Sequence, residues 1–376
     1  MTPLQLNNKF LLIPRIILII LTVTISCNRE KEQATTLKDA FKEDFTVGAA
    51  LSWFQITGRD TLSVALVKEH FNAITAGNVM KWERIHPRPG KYNFGPADQF
   101  VAFGEENQMQ IVGHTLLWHS QTPQWVFQDS EGNLASRDTL LSRLHDHIHT
   151  VVGRYRGKVH CWDVVNEAMG DDGEIRNTLW YQIIGEDFLE KAFTFAREAD
   201  PDAVLMYNDY SLPNPAKRDG VVKMIKDLQS KGIKVDAIGL QAHYHLDDPT
   251  LENLEACIVA FSDLGVKLMI TELDVSVLPW PSGNMVADIN LRLENNTELN
   301  PYTDGLPDSV QTVLANRYRD LFTMFSKHSE HIERVTFWGI HDGTSWKNNF
   351  PVRGRTNYPL LFDRSGQPKP AFDAVM

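Results

Sequence analysis

The chain has 376 residues, 43% hydrophobic and 23% charged, a globular composition that fits neither a disordered tail nor a polytopic membrane protein. Lys plus Arg number 37 against 48 Asp plus Glu, for a formal net charge of −11; with no segregated basic run, that balance argues against nucleic acid and for a neutral or weakly charged ligand. Cys27, Cys161 and Cys257 form no CxxC pair, which excludes a zinc knuckle or a disulfide scaffold; Cys161 and Cys257 read as small buried hydrophobes, with a bridge between them left open.

The first element is an export signal. Lys9 and Arg15 precede an apolar run from Ile16 to Ile25, shorter than the ~20 residues a membrane span needs. Ser26 supplies a small residue behind it, and no acid occurs before Glu30. Cys27 stands where a bacterial lipoprotein signal carries its acylated cysteine. Thr24-Ile25-Ser26-Cys27 resembles that lipobox, although Leu is usual where Thr24 stands. The expectation is a signal over 1–27, a polar tether over 28–36 and a catalytic body over 37–376. The protein is then exported and lipid-anchored to the cell envelope or surface through Cys27, or simply secreted if Cys27 is incidental.

Short apolar, β-branched runs then alternate with helical patterns. Strands are predicted to start near Val47, Ala73, Met109 and His160, and again near Val204, Val235, Lys267 and Arg334. Helices are predicted over Leu140–Tyr155, Phe188–Ala199, Asp219–Lys231 and Val310–Ser326, with Gly232 as a stop signal. Eight such units predict an α/β fold, a single (β/α)8 TIM barrel. The Pro- and Gly-rich gap between Leu273 and Val310 reads as a long insertion after the seventh strand.

In such a barrel the site lies at the C-terminal ends of the strands. From the second strand on, those ends read Asn78 and Lys81, His114 and Trp118, Asn166 and Glu167, Tyr207 and Asn208, Gln241 and His243, Glu272 and Asp274, and Trp338. Scattered surface polar residues would not fall in phase with strand ends. Glu167 and Glu272 both close apolar strands, where an acid is paired, hydrogen-bonded or shifted in pKa. A reaction that protonates a leaving oxygen on one side and attacks from the other needs two carboxyls of this kind, which is glycoside hydrolysis.

Six segments together resemble the family 10 glycoside hydrolases, the endo-β-1,4-xylanases. They are Gly113-His114-Thr115-Leu116-Leu117-Trp118-His119, Trp162-Asp163-Val164-Val165-Asn166-Glu167-Ala168, Tyr207-Asn208-Asp209-Tyr210, Gly239-Leu240-Gln241-Ala242-His243, Ile270-Thr271-Glu272-Leu273-Asp274-Val275 and Phe337-Trp338-Gly339-Ile340. The resemblance implies retaining endo-hydrolysis of xylan, with Glu167 as acid/base and Glu272 as nucleophile. It implies that His243 supports Glu272, that Asp274 orients His243, that Asn166 binds the 2-hydroxyl of the sugar being cleaved, and that Gln241 belongs to the catalytic centre. Asn78, Lys81 and His114 are implied as sugar ligands on the glycone side. Trp118, Trp338 and Trp346 are implied as aromatic walls, and Tyr207 as a further substrate contact. Xylan and xylooligosaccharides are the implied partners of a monomer that needs no cofactor and no metal. The charge of Glu272 is expected to raise the pKa of Glu167. One departure stands out: Gly77 occupies the place of a usual substrate-binding Glu, and a roomier second glycone subsite that accepts substituted xylose is expected.

The histidines outside these roles carry no metal expectation. On a helix only His145 and His149 of the His145, His147, His149 run share a face, and no carboxylate in the run completes a ligand set, so a solvated helix face is expected. His114 and His119 lack the acid of HExxH. His243 and His245 have metallohydrolase spacing, without a bridging Lys pattern. Two readings stay beside the leading one: another retaining barrel β-1,4-glycanase, and a non-catalytic glycan-binding lipoprotein.

Overall fold

The computed structural model describes residues 1–4, 35–280, 293–294 and 297–376. Most of the expected signal, Cys27, most of the tether and the middle of the expected insertion therefore lie outside the described residues. Among the described residues, no helix is long and apolar enough to cross a membrane.

Among the described residues, ten strands occur in chain order: β1 (Thr46–Leu51), β2 (Ala73–Ala76), β3 (Gln110–Gly113), β4 (Leu117–Trp118), β5 (Cys161–Asn166), β6 (Val204–Asp209), β7 (Ala237–Leu240), β8 (His243–His245), β9 (Lys267–Ser276) and β10 (Ile332–Phe337). Apart from the short β4 and β8, they pair in parallel around the ring β1-β2-β3-β5-β6-β7-β9-β10, and β10 returns to β1. This is the closed (β/α)8 barrel. Every residue of β2, β5 and β7 is buried, because helices cover the outside of the ring and side chains fill the inside. Val112, Cys161, Met206, Ala237 and Met269, drawn from five strands, form a cluster within the ring that is separate from the main core. Cys161 and Cys257 are both buried free thiols, which closes the question of a bridge.

Local chemistry sets the helix limits. Ser136 accepts from the Thr139 N–H and starts Arg137–Arg154. Asn214 accepts from the Ala216 N–H ahead of Pro215, and Pro215–Ser230 begins there, four residues before the sequence expectation. Gly232 follows with φ +76°, a left-handed turn that ends the helix. Phe188–Ala199 has its expected bounds, and Asp308–Lys327 exceeds its expected span.

The described ends of the insertion dock on the loop after β10. The Leu293 N–H donates to Pro351 O at 3.0 Å, Asn300 Oδ1 accepts from the Thr356 N–H at 2.9 Å, and the Tyr358 hydroxyl donates to Tyr302 O at 2.8 Å.

Candidate active site

The strand ends converge on one cleft. Asn78, Lys81, His114, Trp118, Asn166, Glu167, Gln241, His243, Glu272, Trp338 and Trp346 all line it. Tyr207 does not, a correction to the sequence expectation. Its side chain is fully buried, and its hydroxyl donates to Asp209 Oδ2 and accepts from the Met169 N–H. Tyr207 lies within β6, whereas Tyr210, one residue past the strand end, reaches the cleft.

Strand register sets the key groups beside one another. β4 pairs Trp118 with Asn166, β5 pairs Asn166 with Asn208 on β6, and β8 pairs His243 with Asp274 on β9. Glu167 leaves β5 at φ +60° and Ala242 sits at φ +62°, both in the left-handed region that a non-glycine residue occupies at a cost of about 1–3 kcal/mol. The Glu167 N–H is held by Asn208 O at 2.9 Å.

The two glutamates are equally enclosed but differently partnered. Trp118 Nε1 donates to Glu167 Oε2 at 2.9 Å, and Gln241 Nε2 donates to Glu167 Oε1 at 3.1 Å. Burial, followed by the Asp209 charge, pushes Glu167 up to about 7, against the lowering effect of its two donors; the charge of Glu272 is a smaller contribution. The expected raising effect of the Glu272 charge is present, beside the larger effects of burial and Asp209. Asp209 is fully buried beside Lys217, 2.9 Å away.

His243 Nε2 lies 3.2 Å from Glu272 Oε2, and Asn208 Nδ2 donates to Glu272 Oε1 at 3.0 Å. Burial would raise Glu272, but the His243 hydrogen bond and the positive charges of His243 and Lys81 outweigh it and hold the carboxyl below its ordinary range. Burial opposes the charge on His243 too. Asp274, at 3.0 Å from Nδ1, and Glu272 overcome it and carry the imidazole up to about 9, so it is a cation at neutral pH. Asp274 in turn accepts from Trp346 Nε1 at 2.8 Å and faces Lys347 Nζ at 3.2 Å.

Asn208 was seen at its strand end in the sequence but not assigned to the site. Its amide bridges Glu272 Oε1, Asn166 Oδ1 and Asp163 Oδ2, while its Oδ1 accepts from Thr271. With Gln241, which donates to both Asn166 and Glu167, it links the two glutamates through one hydrogen-bonded chain. His114 Nδ1 lies 2.8 Å from the same Asp163 carboxylate. Lys81 donates to Gln121 Oε1 at 2.8 Å and rests 5.0 Å over the Trp118 ring; burial lowers its pKa to about 8 against the pull of the surrounding carboxylates. The aromatic wall extends beyond Trp338 and Trp346: Phe350 stacks on Trp346 at 4.9 Å and Trp280 lies 6.0 Å from Phe350. Neither Gln121 nor Phe350 carries a sequence signal, since both sit in loops whose path depends on the whole fold.

At Gly77 the cleft wall is backbone. A Cβ there would lie 2.9 Å from Leu51 O, the oxygen that accepts the Gly77 N–H at 3.0 Å. The short helix Trp53–Ile56 and the turn after it bring Phe54, Arg59 and Asp60 to the same cleft.

Two enclosed carboxyls with opposed shifts, set in an aromatic-walled cleft at the C-terminal mouth of a barrel, define a glycoside hydrolase. The chain belongs to glycosyl hydrolase family 10, whose family model matches residues 36–376. It is 46% identical to endo-1,4-beta-xylanase A of Xylanibacter ruminicola over 91% of this chain and 92% of that one, and 42% identical to a beta-1,4-xylanase of Dictyoglomus thermophilum over 98% of each. Among solved structures, a GH10 endoxylanase from a sugarcane soil metagenome superposes with a TM-score of 0.88 at 45% identity, covering 90% of this chain and 99% of that one.

Proposed function

We propose that the protein hydrolyses internal β-1,4-xylosidic bonds of xylan with retention, Glu167 acting as acid/base and Glu272 as nucleophile. The observation that supports this reading is two enclosed carboxyls in one cleft with different partners: His243 and Asn208 hold Glu272, whose pKa lies below its ordinary range, whereas Trp118 and Gln241 hold Glu167, which burial and Asp209 push up to about 7. Glu272 Oε attacks the anomeric carbon while Glu167 gives its proton to the departing glycosidic oxygen, leaving a glycosyl ester on Glu272. Glu167, now anionic, takes a proton from water as that water attacks the anomeric carbon, breaking its bond to the Glu272 oxygen and releasing the carboxylate. Loss of the Glu272 charge lowers the Glu167 pKa only modestly, because burial and Asp209 persist. A pKa near ambient pH serves both donation and abstraction. His243 holds Glu272 anionic and oriented. Asn166 and the Asn208 bridge sit where a sugar hydroxyl beside the nucleophile can bond.

The supporting test follows new reducing ends from glucuronoarabinoxylan with residues 37–376. Glu272→Ala should abolish them, with azide giving the inverted-anomer glycosyl azide. Glu167→Ala should act only on aryl glycosides with good leaving groups. Preference for carboxymethylcellulose over xylan would favour a glucanase. Binding without cleavage of any glycan would favour the non-catalytic lipoprotein.

The basic flank, the short apolar run and Cys27 support export and lipid anchoring of a barrel spanning 37–376, with signal and tether before it. Fatty-acid labelling that Cys27→Ala does not remove would overturn the anchor. A working monomer completes the proposal; elution as a dimer in gel filtration would contradict it.

A further inference from the structure

His145 and His149 stand one turn apart on the helix Arg137–Arg154, their ring centroids 4.1 Å apart. The local sequence offers no third ligand. The fold supplies one: Glu198, on the neighbouring helix Phe188–Ala199, places Oε2 at 3.4 Å from His149 Nε2. One ligand atom from each of the three residues lies within 4.8 Å of the other two. We propose that His145, His149 and Glu198 form a surface site for a late first-row divalent metal ion, Zn2+ in the first instance, which braces these two barrel helices.

Two imidazoles and a carboxylate suit zinc and its neighbours, whereas magnesium and calcium require an oxygen cage. Tetrahedral bonds of about 2.0–2.1 Å set ligand atoms roughly 3.3–3.5 Å apart, so the three groups need to close by about 1.5 Å at most. They are free to do so: their side chains are 44%, 34% and 53% exposed, and no core residue must move. Asp146 Oδ1 lies 3.3 Å from His145 Nδ1, the type of carboxylate contact that orients a metal-bound imidazole and leaves Nε2 for the ion. The Phe195 ring packs nearly perpendicular to the same imidazole, with centroids 5.0 Å apart, and steadies it. His149 also borders a hollow with Asp146, Tyr92 and Thr150, which leaves room for water in the remaining positions. His147, the middle member of the run, takes no part. It is fully buried, stacked 3.6 Å over Trp82, and burial depresses its pKa well below the usual value, a correction to the expected solvated face.

None of the three ligands lines the catalytic cleft. An ion that needs residues from both helices binds the folded chain far better than the unfolded one, and so stabilises the fold by mass action.

The test uses the full chain without a polyhistidine tag, stripped with EDTA, titrated calorimetrically with ZnCl2 and melted with and without it. One Zn2+ per chain in the micromolar range is expected, with a melting temperature raised by a few degrees and no response to MgCl2. His149→Ala should lose at least tenfold in affinity together with the melting shift, and Glu198→Gln should lose several-fold. Both should keep the wild-type circular dichroism spectrum and melting temperature in EDTA, which separates ligand loss from unfolding. No saturable Zn2+ binding below the millimolar range would overturn the proposal, and so would an affinity unchanged in both variants.

Discussion

His243→Asn isolates what the imidazolium does for Glu272. An asparagine amide reaches the place of Nδ1 and keeps the Asp274 contact, but nothing reaches the place of Nε2, 3.2 Å from Glu272 Oε2. The variant removes one hydrogen bond and one positive charge from an enclosed carboxylate. A hydrogen bond to a charged group is worth about 1.5–3 kcal/mol, and each 1.36 kcal/mol moves a pKa by one unit, so Glu272 should rise by about 1–2 units. The sign follows from its role: the nucleophile must be ionised, so a raised pKa moves the acid limb of kcat/KM upward. The basic limb, set by Glu167 at about 7, should stay, because that group takes its shift from burial, Asp209, Gln241, Trp118 and Glu272 rather than from His243. The assay is a pH profile of kcat/KM on an aryl β-xylobioside, with His243→Gln, whose longer amide approaches the Nε2 position, as partial rescue. A loosened nucleophile should also cost about 10- to 100-fold in kcat. An acid limb that does not move, or two limbs that move together, would refute the reasoning.

Three further outcomes follow from the same geometry. Trp118→Phe keeps the aromatic wall but removes the donor at 2.9 Å to Glu167 Oε2; the basic limb should rise by about 1 pH unit with the acid limb fixed, read from the same profile. Gly239→Ala would place a Cβ 2.5 Å from Asn208 Oδ1 and 2.8 Å from Thr271 Cγ2. Asn208 should be driven off its bridge, with kcat lowered at nearly constant KM and stability reduced by about 1–3 kcal/mol on denaturant melting. Gly77→Glu should cost a similar about 1–3 kcal/mol through its contact with Leu51 O, and should slow cleavage of arabinoxylan more than that of linear xylohexaose; equal slowing would remove the roomier-subsite reading.

The barrel was legible in the sequence because most ring strands are buried on both faces and read as largely apolar runs. Polar residues at the ends of such runs then mark the rim. Tyr207 was misread because it and Tyr210 straddle the end of β6: a boundary error of a few residues exchanges a core side chain for a cleft side chain. The early start of Pro215–Ser230 was signalled by Asn214-Pro215 and overlooked. Other features had no local signal at all. The Asn208 bridge joins β5, β6 and β9, and Glu198 approaches His149 across 49 residues of chain. Such contacts exist only after the helices have packed.

The division of labour between the two glutamates rests on the charge of their partners rather than on their exposure. Glu167 and Glu272 are 7% and 5% exposed, and burial alone would raise both. Glu167 is met by two neutral donors, Trp118 and Gln241, and by the anion Asp209. Glu272 is met by an imidazolium that Asp274 keeps charged, with Lys81 nearby. Neutral donors bond a carboxylate without fully repaying its desolvation, and a neighbouring anion widens the deficit, so Glu167 retains its proton. Cations repay desolvation and more, so Glu272 stays ionised. Asp274 and Asp209 act in opposite senses for the same reason. Asp274 is one bond removed from Glu272, and its charge is spent on sustaining His243. Asp209, although paired with Lys217, raises Glu167 directly.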